Sequence, residues 1–113
     1  MAQLETTLTN QIRRAIEASF PKDENGFSEA WGLKVAGGGY QNAGVPDLLY
    51  LIRGTLFGFE VKAQRSGESK EHARNRATLR QLIEIDKINR AGGCALVVIS
   101  VDEVMSAIWN NLT

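Results

Sequence analysis

The chain has 113 residues, 43% hydrophobic and 23% charged, a size and balance that suit one core-forming domain and leave little room for a second. Thirteen basic residues offset thirteen acidic ones, so net charge announces no nucleic-acid partner, and the single cysteine, Cys94, excludes an internal disulfide or a cysteine-rich zinc site. No apolar run reaches the about 18 residues of a membrane span, and Met1-Ala2-Gln3-Leu4-Glu5 lacks the basic and apolar regions of a secretory signal, which makes the cytoplasm the expected compartment.

Leu4, Leu8, Ile12, Ala15, Ile16 and Phe20 recur at helical spacing and predict an amphipathic helix over 4–20, stopped by Pro21. Residues 22–30 are polar and read as irregular. A short strand is expected at 31–36, closed by Gly37-Gly38-Gly39, and 40–46, with Gly44 and Pro46, reads as a loop. Two apolar runs, 48–52 and 56–61, flank Arg53-Gly54-Thr55 and predict a tight hairpin. Helical spacing returns over 77–90 through Leu79, Leu82, Ile83, Ile85 and Ile88, ended by Gly92-Gly93. The run Cys94 to Ile99 predicts a strand buried on both faces. Ser100-Val101-Asp102-Glu103 has the form of a capping box and opens a last helix carrying Val104, Met105, Ile108, Trp109 and Leu112. The expected fold is α/β, a mixed sheet of about four strands flanked by helices in the order α-β-β-β-α-β-α, within one domain over 1–113.

The hairpin carries charges where an apolar ladder is expected. Taking Gly54-Thr55 as the two-residue turn pairs Arg53 with Leu56, sets Asp47 opposite Lys62 and puts Glu60 opposite Leu49, diagonal to Asp47. Asp47, Glu60 and Lys62 then share a face with Leu49 and Leu51, while Leu48, Tyr50, Ile52, Phe57, Phe59 and Val61 share the other. A register error of one residue would turn Asp47 to the wrong side. Charges in such a setting need a partner or a metal. The residues alone leave two readings open. One is a salt-bridged cluster at the sheet's edge. The other is a site where Asp47 and Glu60 hold Mg²⁺ or Mn²⁺, the Val61 backbone carbonyl offers a further oxygen, and Lys62 acts on phosphate charge or on an attacking water.

The stretch from Lys62 to Arg80 holds Lys62, Arg65, Lys70, Arg74, Arg76 and Arg80 against Glu68 and Glu71, with His72, the only histidine. It reads as an exposed basic loop running into a helix, for which a merely solvated loop is the plain alternative.

Gly44-Val45-Pro46-Asp47, followed by a strand pair ending in Phe59-Glu60-Val61-Lys62, resembles the PD-(D/E)xK nuclease superfamily and, within it, the virus-type replication-repair nuclease (VRR-NUC) family. The helix start Thr78-Leu79-Arg80-Gln81, then Ala91-Gly92-Gly93, an apolar strand and Ser100 to Glu103 are similar in order and spacing, so the likeness covers residues 31–112. The resemblance implies a restriction-endonuclease-like core and a metal-dependent endonuclease that cuts DNA phosphodiesters. It also implies that Asp47 and Glu60 bind the metal, that Lys62 is the catalytic lysine and that Gln81 lies beside them. Many relatives add a first-helix glutamate, here Glu5 in preference to Glu17, with a solvated helix face as the plain alternative. Small stand-alone relatives, often encoded by phages or prophages of bacterial hosts, act on branched DNA such as four-way (Holliday) junctions. Branched DNA and a C2 homodimer are therefore what the resemblance implies, with the last helix and the Trp31 strand as candidate apolar surfaces. This chain departs from the family in the length of 63–77, where relatives have a shorter link. Arg65, Lys70, Arg74 and Arg76 are expected there as phosphate contacts, with Arg80 just beyond it. Lys34 is a further candidate, a plain surface lysine being the alternative. The competing functions are a flap- or restriction-like nuclease and a catalytically silent nucleic-acid-binding module of the same fold. A small interaction domain unrelated to nucleic acid would leave the triplet and the basic loop unexplained.

Overall fold

The computed structural model describes residues 2–36 and 43–112, so the Gly37-Gly38-Gly39 strand stop and the start of the following loop lie outside the described residues. The elements are α1 (Ala2–Ser19), β1 (Ala30–Lys34), β2 (Leu48–Ile52), β3 (Thr55–Val61), α2 (Lys70–Arg74), α3 (Leu79–Arg90), β4 (Cys94–Val98) and α4 (Val101–Asn111). The strands form one sheet in the order β1-β2-β3-β4, antiparallel except for the parallel β3–β4 pair. Parallel neighbours need a crossover, and α2 with α3 supplies it.

Period-two alternation gives the sheet two unlike faces. One carries Leu48, Tyr50, Ile52, Phe57, Phe59, Val61 and Val98, packed under Ile12, Ile16 and Phe20 of α1 and Val104 and Ile108 of α4. Each such side chain, fully buried, contributes roughly 1.5–3 kcal/mol, so this is the layer that holds the molecule together. The other face is only half covered. Helix α3 lies over β3 and β4, where Gly58 allows the approach: a methyl group there would sit 3.4 Å from Ala95 Cβ and from Ile88 Cδ1. Beyond α3 no described element covers this face, and Trp31, Leu51 and Leu56 form a cross-strand row that is 64%, 45% and 40% exposed.

The expected elements are present, with three differences. Ile52 pairs with Thr55, so the two-residue turn is Arg53-Gly54 and not Gly54-Thr55. Both turn residues have positive φ, 47° and 85°, which is the type I′ geometry that suits the twist of a hairpin. Tertiary contacts hold Arg53 there. Its Nε donates to Glu29 Oε2 at 2.7 Å, its N–H donates to the Glu29 carbonyl, and its guanidinium lies over the Phe20 and Trp109 rings. The second difference is β4, expected to be buried on both faces. It is the sheet's edge strand, and Cys94, Leu96 and Val97 are half-buried because α3 and α4 each cover it only in part. The third is α2, read from sequence as loop. It is one short turn capped by Ser69, with Ala73 alone buried, too short for any apolar period to show. At α4 the Ser100 side chain accepts from the Glu103 N–H as expected, but Glu103 Oε1 accepts from Ile99 N–H, so the box is not reciprocal. No helix among the described residues is long and apolar enough to cross a membrane.

Gly32 pairs with Tyr50, whose ring lies across it where a methyl group would have to go. Gly32→Ala is therefore expected to push Tyr50 out of the core and cost about 1–3 kcal/mol. A urea midpoint unchanged from the parent chain would show that the ring has room to move.

Candidate active site

Asp47 stands at the mouth of β2, and three local features fix it. Gly44 has φ +81°, and a Cβ there would lie 2.7 Å from the Arg80 carbonyl oxygen, so the Gly-Val-Pro-Asp loop rests directly on the first turn of α3. Pro46 is fully buried and stacks against Gly58. The Asp47 carbonyl accepts from Val35 N–H at 2.8 Å, and its Oδ2 accepts from Val61 N–H at 2.8 Å. The side chain thus continues the ladder past the last backbone pair. Extending the observed register sets Asp47 opposite Glu60, not opposite Lys62. The register differs from expectation by two residues, and an even shift keeps every side chain on its face.

Glu60 is 2% exposed. Its Oε2 accepts from Gln81 Nε2 at 3.1 Å and lies 3.5 Å from Lys62 Nζ, while Oε1 is buried with no hydrogen-bond partner. Burial foremost, and then the Asp47 carboxylate beside it, push this carboxyl up to about 8 against the pull of Lys62. Gln81 is held by a capping box at the start of α3. Its N–H donates to Thr78 Oγ1 and its Oε1 accepts from Thr78 N–H at 2.9 Å, which turns the amide nitrogen toward Glu60. The motif read as a helix start is thereby also the device that orients a carboxylate.

A divalent cation fits this arrangement. Two neighbouring carboxyls, one with a buried oxygen that nothing satisfies, form a hard oxygen donor set with Lys62 as its one neighbouring cation among the described residues. Val61 lies between Glu60 and Lys62, with its N–H already given to Asp47.

Other residues singled out from sequence lie elsewhere. Glu5 Oε1 accepts from Arg76 Nη1 at 3.3 Å. Among the described residues, no third Asp, Glu, His or Cys joins Asp47 and Glu60 in a group suited to a metal ion. Glu17 borders a cavity of about 560 Å³ between α1 and β1, together with Arg13, Lys22 and Tyr50. Arg74 makes a two-pronged ion pair with Glu103, and Arg76 is bound by Glu68, Glu5 and the Ala63 carbonyl. Any phosphate contact at Arg74 falls to the N–H groups not given to Glu103, and at Arg76 only one N–H is not engaged by these partners. Lys70 lies close enough to Glu103 to help lower that carboxyl's pKa. Among the described residues, the side chains of Arg65, Arg80 and Lys34 have no ion-pair partner. The sequence shows Glu68 and Glu103 but not that they are the acceptors that organise the basic segment. The only available signal was their count among so many arginines.

The raised Glu60 pKa links pH to stability. The native state keeps a proton that the unfolded chain has lost above about 4.5, the ordinary value, so stability falls as pH rises from there through about 8. Thermal melts in EDTA should show a loss on the order of a few kcal/mol between about pH 5 and pH 8. Mg²⁺ should restore part of it at the higher pH and little at the lower. Glu60→Gln should flatten the dependence, and the same slope in parent and variant would remove Glu60 as its source.

No family model matches the sequence. Comparison with curated proteins likewise finds no match. Among solved structures, a VRR_NUC domain protein superposes with a TM-score of 0.64 and probability 1.00, covering 96% of this chain and 88% of that one at 20% identity. At that identity the likeness is one of fold. Near-complete coverage from both sides means that it includes the helices as well as the sheet. The chain shares the fold of that VRR_NUC domain protein, with helices flanking a mixed four-stranded sheet.

Proposed function

We propose that the chain is a metal-dependent nuclease, an endonuclease that hydrolyses DNA phosphodiesters and prefers branched DNA such as four-way junctions. The observation that carries this reading is the bare, buried Glu60 oxygen beside Asp47, with Lys62 and Gln81 converging on the other oxygen. A structural salt bridge would leave no such orphan. Asp47 and Glu60 hold Mg²⁺ or Mn²⁺, with the Val61 carbonyl as a further oxygen. The bound ion supplies charge neutralisation at the phosphodiester and a more acidic water.

The chain's own groups do the rest. Gln81 holds the Glu60 carboxylate in one orientation through the Thr78 capping box. Lys62, mostly buried on the same face, offers Nζ to a phosphate oxygen or to the attacking water, where a fixed cation acts on charge as it develops. Arg80, one residue before Gln81 in α3, and the unpaired Arg65 and Lys34 are the phosphate contacts in this reading, with Lys70 as a fourth. Such contacts give affinity without reading bases. Glu5 is left out of the metal pair here because Arg76 occupies it.

Cutting a junction resolves two strands, which calls for two sites related by a twofold axis. The open row Trp31, Leu51, Leu56, with Leu33 beside it, supplies an apolar surface on the same side of the sheet as Glu60. We therefore assign the homodimer contact to the Trp31 strand and not to α4, whose Trp109 is already stacked on Phe20 at 5.2 Å. A bacterial cytoplasm, with a phage or prophage as the source of the gene, is the setting that goes with this reading.

The test is cleavage of labelled four-way, flap, duplex and single-stranded DNA in Mg²⁺, Mn²⁺ or EDTA. Metal-dependent cutting should be strongest on the junction and fall by about 10³-fold or more in Asp47→Asn and Lys62→Ala, with DNA binding retained. Binding without cleavage under every condition would make the chain a silent module, and cutting of flaps but not junctions would move the substrate. For the dimer, Trp31→Glu should convert a two-subunit species to a monomer in light scattering behind gel filtration. A parent chain that is already monomeric would overturn that assignment.

A further inference from the structure

We propose that Arg76, although it lies in the basic segment, contacts no phosphate and is instead the positioning residue that fixes Lys62. This inference rests on the nuclease reading above and deepens it.

Four of the five N–H donors of the Arg76 guanidinium are taken. Nε donates to Glu68 Oε2 at 3.0 Å, Nη2 to Glu68 Oε1 at 3.3 Å and to the Ala63 carbonyl, and Nη1 to Glu5 Oε1 at 3.3 Å. The side chain is 18% exposed and that of Glu68 only 7%. Turning Arg76 out to a phosphate would leave Glu68 nearly buried without its cation, a cost that a solvent-screened phosphate contact does not repay.

The position of Ala63 gives the clamp its purpose. Ala63 directly follows Lys62, and the Lys62 N–H donates to the Val98 carbonyl at 3.0 Å. The backbone is therefore pinned on both sides of the Lys62 side chain, by β4 before it and by Arg76 after it. Lysine is a point charge on a flexible four-carbon stem, so where its ammonium dwells depends on where that stem is rooted. Lys62 Nζ reaches Glu60 Oε2 at 3.5 Å from this root. The same guanidinium ties in the loop through Glu68, whose Oε1 also accepts from Arg65 N–H, and the first turn of α1 through Glu5. Segment 63–76 is thus a folded strap whose inner end holds the catalytic lysine. The neighbouring pair Arg74–Glu103 fastens the same strap to the start of α4 without touching the exit from β3.

That contrast supplies the control. Single-turnover cleavage, DNA affinity as a function of salt, and thermal melts are measured for Arg76→Gln, Arg76→Lys, Glu103→Gln and Arg65→Ala. Arg76→Gln is expected to lower the cleavage rate by about 10- to 100-fold, the size of effect that small misplacement of a reacting group produces. Its DNA affinity should stay within about twofold of the parent, with the salt slope unchanged. Arg76→Lys, able to reach Glu68 or Ala63 but not both with a fork, should recover part of the rate. Glu103→Gln should lose stability comparably while cutting at close to the parent rate. Arg65→Ala should weaken binding and reduce the salt slope by about 1.

Weaker binding with a reduced salt slope and an undiminished rate in Arg76→Gln would make it a phosphate contact and overturn the inference. So would an equal rate loss in Glu103→Gln, which would reduce the clamp to general stability. If Arg76→Gln fails to fold, Glu68→Gln and Arg76→Lys carry the same comparison. A parent chain that cuts no DNA sinks the nuclease reading and this inference with it, whereas an active parent with an unchanged Arg76→Gln rate sinks the inference alone.

Discussion

The hydrogen bond from the Val61 N–H to the Asp47 carboxylate is the constraint on which the site depends. At the point where β2 has run out of backbone to pair with β3, a side chain takes over the ladder. One consequence is that an acidic side chain is drawn into the end of an apolar sheet. Another is that Glu60, the residue before Val61 and opposite Asp47 in the extended register, must share that space. Asp47 so placed disfavours the ionised form of Glu60. The sheet tolerates them because Leu48, Phe57, Phe59 and the helices behind fix the opposite face, so the strands cannot slide to relieve the charge. Packing on one face thus holds an electrostatic deficit on the other.

That division explains why so much was legible in the sequence. Apolar alternation over 48–61 assigns faces by parity, and parity survived a mistaken turn. Choosing Gly54-Thr55 over Arg53-Gly54 moved the pairing by two residues, which left Asp47, Glu60 and Lys62 on their common side. Both turns are compatible with a glycine in the loop. What selects the observed one is remote from the hairpin: Glu29 and the rings of Phe20 and Trp109 gather around the Arg53 guanidinium. No local pattern encodes that. The long helices were legible for a similar reason, since each has an apolar stripe that faces a layer. Helix α2 was not, because one turn with one buried alanine has no stripe.

The basic segment is where sequence reading and structure differ most in meaning. As a string, 62–80 is a run of cations with two acids, and a cationic run suggests a surface for phosphates. In the fold, Glu68 and Glu103 each engage one arginine, and Glu5, 71 positions upstream of Arg76, adds to one of them. Ion pairs between distant segments leave no periodicity, so nothing in the string separates a partnered arginine from a free one. Such partly buried pairs do more than neutralise charge. Their value lies in geometry, since a guanidinium fork accepts few arrangements and so specifies where its partners sit.

The Thr78 capping box shows how one local motif can serve two levels at once. A box of this kind normally ends its work at the helix terminus, where it satisfies backbone donors that have no partner within the helix. Here the glutamine that closes it still has its amide NH2, and one N–H of that group meets Glu60. Because the box fixes which end of the amide faces the helix, the nitrogen must face the carboxylate. Replacing Gln81 with glutamate would keep the box and place a third negative charge against Glu60. Replacing it with leucine would lose both bonds. An amide is the side chain that can satisfy a helix start and a buried carboxylate together, and Gly44, by letting the Asp47 loop rest on Arg80, brings that helix start within reach.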